Sequence, residues 1–149
     1  MEERLGRQLA FASKAVQGRL DQALAEIGSS FHTFLVLRFV DGFPGLSQRQ
    51  LARRLGIEGP TLTHHLDRLV AEGLVRRVRD VDDRRVSSTL LTAKGRAHLR
   101  KAVQVADRLD ADLRCLFSES ELQTLRDCLG RIAEHHGRSE LDDNRTRTG

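Results

Sequence analysis

The chain has no tryptophan and no tyrosine in 149 residues, a single methionine, two prolines and two cysteines. Without Trp or Tyr it is poorly supplied with the stacking platforms that grip unpaired bases, which argues against single-stranded nucleic acid as its ligand. Two cysteines, Cys115 and Cys128, are too few to staple a small secreted scaffold. There is no apolar run of the roughly 18 residues needed to span a bilayer, and the opening Met1-Glu2-Glu3-Arg4 lacks the apolar stretch of a secretory signal. A cytosolic protein with no membrane partner is therefore expected. Glycine-rich phosphate loops, nucleophile motifs and the usual metal-ligand spacings are also missing, so neither an enzyme nor a bound cofactor or metal is expected.

Positive charge is plentiful, and it is concentrated. The net charge of the whole chain is +4, yet the stretch from Ser47 to Lys101 holds 13 Arg and Lys against 6 Asp and Glu, a net of +7. Such a bias within one segment is the electrostatic footprint of a nucleic-acid-binding surface. Alone it is weak, because solvated helix faces are often arginine-rich.

The hydrophobic pattern predicts a mainly helical chain. Leu5, Leu9, Ala12, Val16, Leu20, Leu24 and Ile27 recur at steps of three and four, an amphipathic helix that Gly28-Ser29-Ser30 stops. A second helix over residues 31–40 is richly apolar, and Asp41-Gly42-Phe43-Pro44-Gly45 ends it. Ser47 opens a third helix, with Gln50 completing a capping box and Gly56 closing it. Pro60 is expected at the first position of a fourth helix, and Gly73 at its left-handed end. On a helical wheel Leu62, Leu66 and Leu69 share one side, while Thr61, His64 and Arg68 share the other.

Residues 74–79 and 86–91 read as two short strands joined by the tip Asp80-Val81-Asp82-Asp83-Arg84-Arg85. Thr92 caps a long fifth helix with Ala102, Ala106, Leu109, Leu113 and Leu116 in register. Ser118 and Glu121 form a second capping box that opens a sixth helix through Leu122, Leu125, Leu129 and Ile132. From Arg138 onward the chain is polar and aperiodic, a frayed tail over residues 138–149. A polar helix face beside an arginine-tipped ribbon suits duplex DNA, since it offers a rod for the major groove and a hook for the minor groove.

This element order is accompanied by Leu51-Ala52-Arg53-Arg54-Leu55-Gly56, Pro60-Thr61-Leu62-Thr63-His64-His65-Leu66, Leu69-Val70-Ala71-Glu72-Gly73-Leu74-Val75, Asp83-Arg84-Arg85 and Leu91-Thr92-Ala93-Lys94-Gly95. In that order and spacing the chain resembles the MarR family of bacterial winged helix-turn-helix regulators over about residues 5–136. The fold implied is six helices with a small two-stranded β-wing. Residues 31–92 would form a winged DNA-binding lobe, and residues 1–30 and 93–137 a helical dimerisation region.

The resemblance implies a homodimer bound to double-stranded DNA at a pseudo-palindrome, acting as a repressor that answers to a small-molecule effector. The fourth helix would read the major groove and Arg85 would enter the flanking minor groove, with Asp83 holding the wing. The expected DNA-binding set is Ser47, Gln48, Thr61, Thr63, His64, His65, Arg68, Arg84 and Arg85. Leu9, Leu113, Leu125 and Leu129 are expected at the dimer interface. His32 falls near the place where such relatives bind effectors, although a core histidine is the simpler reading. One departure is Val81, where many members carry proline, which loosens the wing tip.

Other candidates read more plainly. His64 and His65 are neighbours on a helix and point about 100° apart, so they do not converge on a metal. His135 and His136 read as a polar helix end near exposed carbonyls. Cys115 and Cys128 read as small apolar packing groups without an activating charge. The competing function is a winged helix that binds protein, which would need neither Arg85 nor the +7 bias. Its binding would depend only weakly on salt, whereas DNA binding falls steeply as salt rises.

Overall fold

The computed structural model describes residues 4–79, 81 and 87–137. The expected wing residues Asp83, Arg84 and Arg85 and the expected tail at 138–149 lie outside the described residues. Among the described residues six helices and one antiparallel pair of strands follow in the order α1 (Leu5–Ala25), α2 (Phe31–Gly42), α3 (Gln48–Leu55), α4 (Gly59–Ala71), β1 (Val75–Arg79), β2 (Ser87–Leu91), α5 (Ala93–Arg114) and α6 (Glu119–Gly137). The fold is mainly helical with a two-stranded wing, as the sequence predicts. The chain divides into two compact units, the first ending at Asp107 and the second beginning at Arg108.

The first unit is built around one apolar cluster. α2 contributes Val36, Leu37 and Val40, α3 Leu51 and Ala52, α4 Leu62, Leu66 and Leu69, and the strands Val75 and Leu91, with Leu74 and Leu99 closing it. Leu62, Leu66 and Leu69 are all 0% exposed, so the wheel drawn from sequence identifies the inner face of α4 correctly. α2 packs on α3 and β2, α3 on α4, and α4 on β1. In the wing Val75 pairs with Leu91 and Arg77 with Thr89.

Local signals set the helix boundaries. Ser30 caps α2 by accepting from the Thr33 N–H at 3.2 Å. Ser47 caps α3 in a full capping box: its Oγ accepts from Gln50 N–H at 3.2 Å, and Gln50 Oε1 accepts from Ser47 N–H at 2.9 Å. Gly56 and Gly73 take φ of +64° and +72°, the left-handed conformation in which a helix can end without Cβ strain. Pro60 stands one place later than expected, because Gly59 is the first helical residue and Glu58 the cap. Proline is still tolerated there, since the amide it lacks has no intrahelical partner.

The two distant motifs at residues 71–75 and 91–95 turn out to be one device. The Thr92 hydroxyl donates to the carbonyl oxygen of Gly73 at 2.6 Å and lies 3.2 Å from that of Leu74, while accepting from Gly95 N–H at 3.0 Å. The Lys94 ammonium donates to the Glu72 carbonyl at 2.7 Å. One short segment thus caps the start of α5 and satisfies carbonyls left open at the end of α4.

In the second unit Ser118 and Glu121 form the expected capping box, with Glu121 Oε2 accepting from Ser118 N–H at 2.8 Å. That bond, together with the one the Ser118 hydroxyl donates to the same oxygen at 2.9 Å, holds the Glu121 carboxyl below its ordinary range. Among the described residues no helix is long and apolar enough to cross a membrane.

Candidate nucleic-acid interface

Anchoring comes first. The inner leucines fix the rotation of α4, and the capping box with Gly56 fixes the turn between α3 and α4, so the outward face of α4 is held by the core. Ser47 also bridges to Ser88 of β2, which ties the start of α3 to the wing. The outer side then carries Thr61, His64 and Arg68, all exposed, with Thr63 and Gln48 half-buried beside them. Gln48 Nε2 donates to Thr63 Oγ1, and Thr63 Oγ1 donates to the Gly59 carbonyl at 3.0 Å. These two polar side chains form a single unit at the α3–α4 joint.

Arg68 behaves differently from a free surface arginine. Its guanidinium donates to Oγ1 of the buried Thr33 at 2.8 Å and lies 3.6 Å from the Glu72 carboxylate. The wheel assigns Arg68 to the outer face correctly, but a side chain of four torsions reaches back to α2.

His65 is half-buried, and its ring stacks on that of His32, with centroids 5.5 Å apart and planes 10° from parallel. The His64 ring lies 6.2 Å from it. Burial pushes the His65 imidazole below its usual pKa, and the positive charges of His32, Arg68 and His64 push in the same direction. His32 is exposed, so the core reading is corrected: the second position of α2 faces away from the apolar stripe at Thr33, Val36, Leu37 and Val40.

Three features escape the sequence reading. Arg77 of β1 donates to Asp67 of α4 at 2.7 Å, linking wing and helix. Asp67 at the edge of the α4 face and an alternating arginine on the next strand are the signals that predict it. The Arg54 guanidinium sits 4.1 Å from the centre of the Phe43 ring, bracing α3 against the turn after α2. A cavity of about 380 Å³ opens between α2 and α5, lined by Arg38 and Asp41 of α2 and by Arg96, Leu99, Arg100, Val103 and Gln104 of α5. His32 is not among its lining residues.

The residues expected at a dimer interface are incompletely covered in the single chain. Leu9 and Leu113 are half-buried, and Leu125 and Leu129 are 38% and 45% exposed. Cys115 and Cys128 are exposed rather than packed: Cys115 stands in the turn just after α5, outside the helix expected for it, and Cys128 lies on α6. Among the described residues no three of His, Cys, Asp or Glu gather into a metal-holding group.

Comparison with known proteins gives a consistent answer. Residues 27–86 match the sequence profile of the MarR family. The HTH-type transcriptional regulator PecS of Dickeya dadantii (strain 3937) is 32% identical over 130 residues, which span 85% of this chain and 78% of PecS. The transcriptional repressor CouR, solved bound to a 23-mer DNA duplex, superposes with a TM-score of 0.82 at 34% identity, covering 87% of this chain and 92% of CouR. The Mycobacterium tuberculosis MarR family protein Rv2887, solved with p-aminosalicylic acid, gives a TM-score of 0.72 at 25% identity over 88% of this chain and 99% of its own.

Proposed function

The chain belongs to the MarR family of transcriptional regulators, and from that membership we propose that it is a homodimeric, effector-responsive repressor of a pseudo-palindromic DNA operator. The observation that carries the reading is the α3–α4 arrangement. A recognition helix with three fully buried leucines beneath it presents Thr61, His64 and Arg68 outward, beside a wing whose tip sequence is Asp83-Arg84-Arg85. In a dimer two such helices enter successive major grooves roughly 34–36 Å apart. Ser47 and Gln48 at the start of α3, with His65 and Arg84, contact phosphates, and Thr61, Thr63, His64 and Arg68 face the groove. Arg85 enters the narrow minor groove, where the negative potential is strongest, and Asp83 orients the wing.

Residues 31–92 form the DNA-binding lobe, and residues 1–30 and 93–137 join the two protomers through Leu9, Leu113, Leu125 and Leu129. The partly exposed leucines of α6 support that assignment, because apolar side chains of this size are more stable covered. The cavity between α2 and α5 supports the effector reading. Its three arginines, one carboxylate and the apolar Leu99 and Val103 suit a small anion with an apolar body. Such a ligand regulates only if it prefers one spacing of the lobes over another.

The test is binding of the purified protein to the DNA upstream of its own gene against scrambled duplex, across a salt series, with Arg85→Ala alongside. Sequence-dependent binding that falls with salt and weakens in the variant is expected. Salt-insensitive binding, or equal affinity for both duplexes, would overturn the reading in favour of a protein partner.

A further inference from the structure

The helix-turn-helix reading does not use His32, yet His32 lies at the edge of the same surface. It is the second residue of α2, exposed, with its ring stacked on His65 of α4 across the joint between the two helices. His64 adds a third imidazole to the cluster. Arg68 reaches the same joint and bonds to Thr33, the residue next to His32.

Three carboxylates on the adjoining helices already have partners. Asp21 of α1 accepts from Phe31 N–H at 2.8 Å, Glu72 lies against Arg68, and Asp67 is paired with Arg77 of β1. The charges acting on His65 are those of His32, Arg68 and His64, with no carboxylate among them. Apart from Glu72 against Arg68, the described residues bring no counter-anion to the imidazoles, which gather at the positive end of a twelve-residue helix.

We propose that the stacked His32–His65 pair is a backbone-phosphate contact that takes up a proton when DNA binds, which makes His32 a DNA-binding residue outside the helix-turn-helix. The inference rests on the DNA-binding reading above. In the free protein one proton on the pair opposes a second, because like charges at this separation repel. A phosphate placed against the two rings supplies the missing negative charge and favours the protonated form. By linkage, a complex that binds more protons than its free components tightens as pH falls, by up to about tenfold per pH unit for each proton. A DNA phosphate is the fitting occupant because the pair flanks α4, whose outer face is the proposed groove reader.

The experiment compares wild type with His32→Phe and His65→Phe, which keep a flat ring in the stack but cannot be protonated. Operator affinity is measured at pH 8, 7 and 6 at fixed salt. Wild-type affinity should climb as pH falls, and its advantage over either variant should widen several-fold between pH 8 and pH 6. Wild-type and His32→Phe profiles that run parallel would overturn the proposal, while sequence-specific binding in both would leave the regulator reading standing.

Imidazole NMR titration of the free protein provides a second readout that needs no operator. His65 should titrate at higher pH in His32→Phe than in wild type, because one repelling charge is gone. Unchanged titration of His65 would likewise overturn it.

Discussion

Gly95 rests directly on the backbone of Leu74. A Cβ added at Gly95 would stand 2.8 Å from the Leu74 carbonyl carbon and closer still to its oxygen. The first turn of α5 therefore touches the turn that ends α4 with no room for a side chain. Gly95→Ala should destabilise the protein by about 1–3 kcal/mol, the usual cost of forcing a methyl into a packed site. Urea unfolding of wild type and variant checks this. Equal midpoints would mean that α5 can lift off the turn without penalty.

The Ser47 cap joins folding to function. Ser47→Ala removes the acceptor for Gln50 N–H and should lower stability by about 1 kcal/mol. It should also weaken operator binding beyond what the stability loss explains, because Ser47 sits at the proposed phosphate-facing start of α3. Ser118→Ala, which breaks the equivalent box on α6, gives the comparison, with a similar fall in stability and no direct loss of DNA contact.

Arg68→Ala should reduce operator affinity and lower the slope of log affinity against log salt by about one. Glu72→Gln removes the partly exposed ion pair at 3.6 Å, and with it the charge that acts on His98, and near neutral pH should change stability by less than about 0.5 kcal/mol. A salt slope unchanged in Arg68→Ala would place that guanidinium outside the DNA interface and leave it as a tie between α4 and Thr33.

Leu125→Asp combined with Leu129→Asp should yield a monomer in sedimentation and abolish operator binding through loss of the dimer. The two leucines sit at 38% and 45% exposure in the single chain, where an aspartate is tolerated by the monomer but not by an apolar interface. A double variant that still sediments as a dimer would remove α6 from the assembly.

Acid should weaken the free fold. Burial lowers the pKa of both His65 and His98, and in His98 Glu72 partly offsets the effect. A histidine whose folded pKa lies below its unfolded value of about 6.5 binds more protons when unfolded. Stability is then full above that pH and falls as pH drops towards the folded values. The urea midpoint should decrease from pH 7.5 to pH 5.5, and less so in His98→Gln, whose parent side chain buries an Nε2 that has no hydrogen-bond partner among the described residues. A pH-independent midpoint would contradict both assignments.

The sequence made the local devices legible and the long-range ones not. Both capping boxes, the left-handed Gly73 and the inner leucines of α4 follow from spacings of three or four residues, where backbone geometry dictates what can touch. The stack of His32 on His65 joins residues 33 positions apart, beyond the reach of any helical spacing, and the sequence reading took His32 for a core residue. The reach of Arg68 to Thr33, and of Arg77 to Asp67, depends on long flexible side chains that periodicity does not constrain. The α2–α5 cavity is absent from the sequence reading because a cavity is set by how two helices diverge, while each of its lining residues taken alone reads as a solvated or core position.

The hydroxyl of Thr92 and the ammonium of Lys94, bonded to the carbonyls that close α4, bear on how this lobe can be transplanted. A graft that stops at Leu74, just past the end of α4, would leave the carbonyl oxygens of Glu72, Gly73 and Leu74 without the donors that Thr92 and Lys94 supply. The portable piece is longer than the helix, running from Ser47, which opens the turn, to Gly95, which lies against Leu74. A chimera built on any shorter segment would carry the reading face of α4 on a helix with a frayed end.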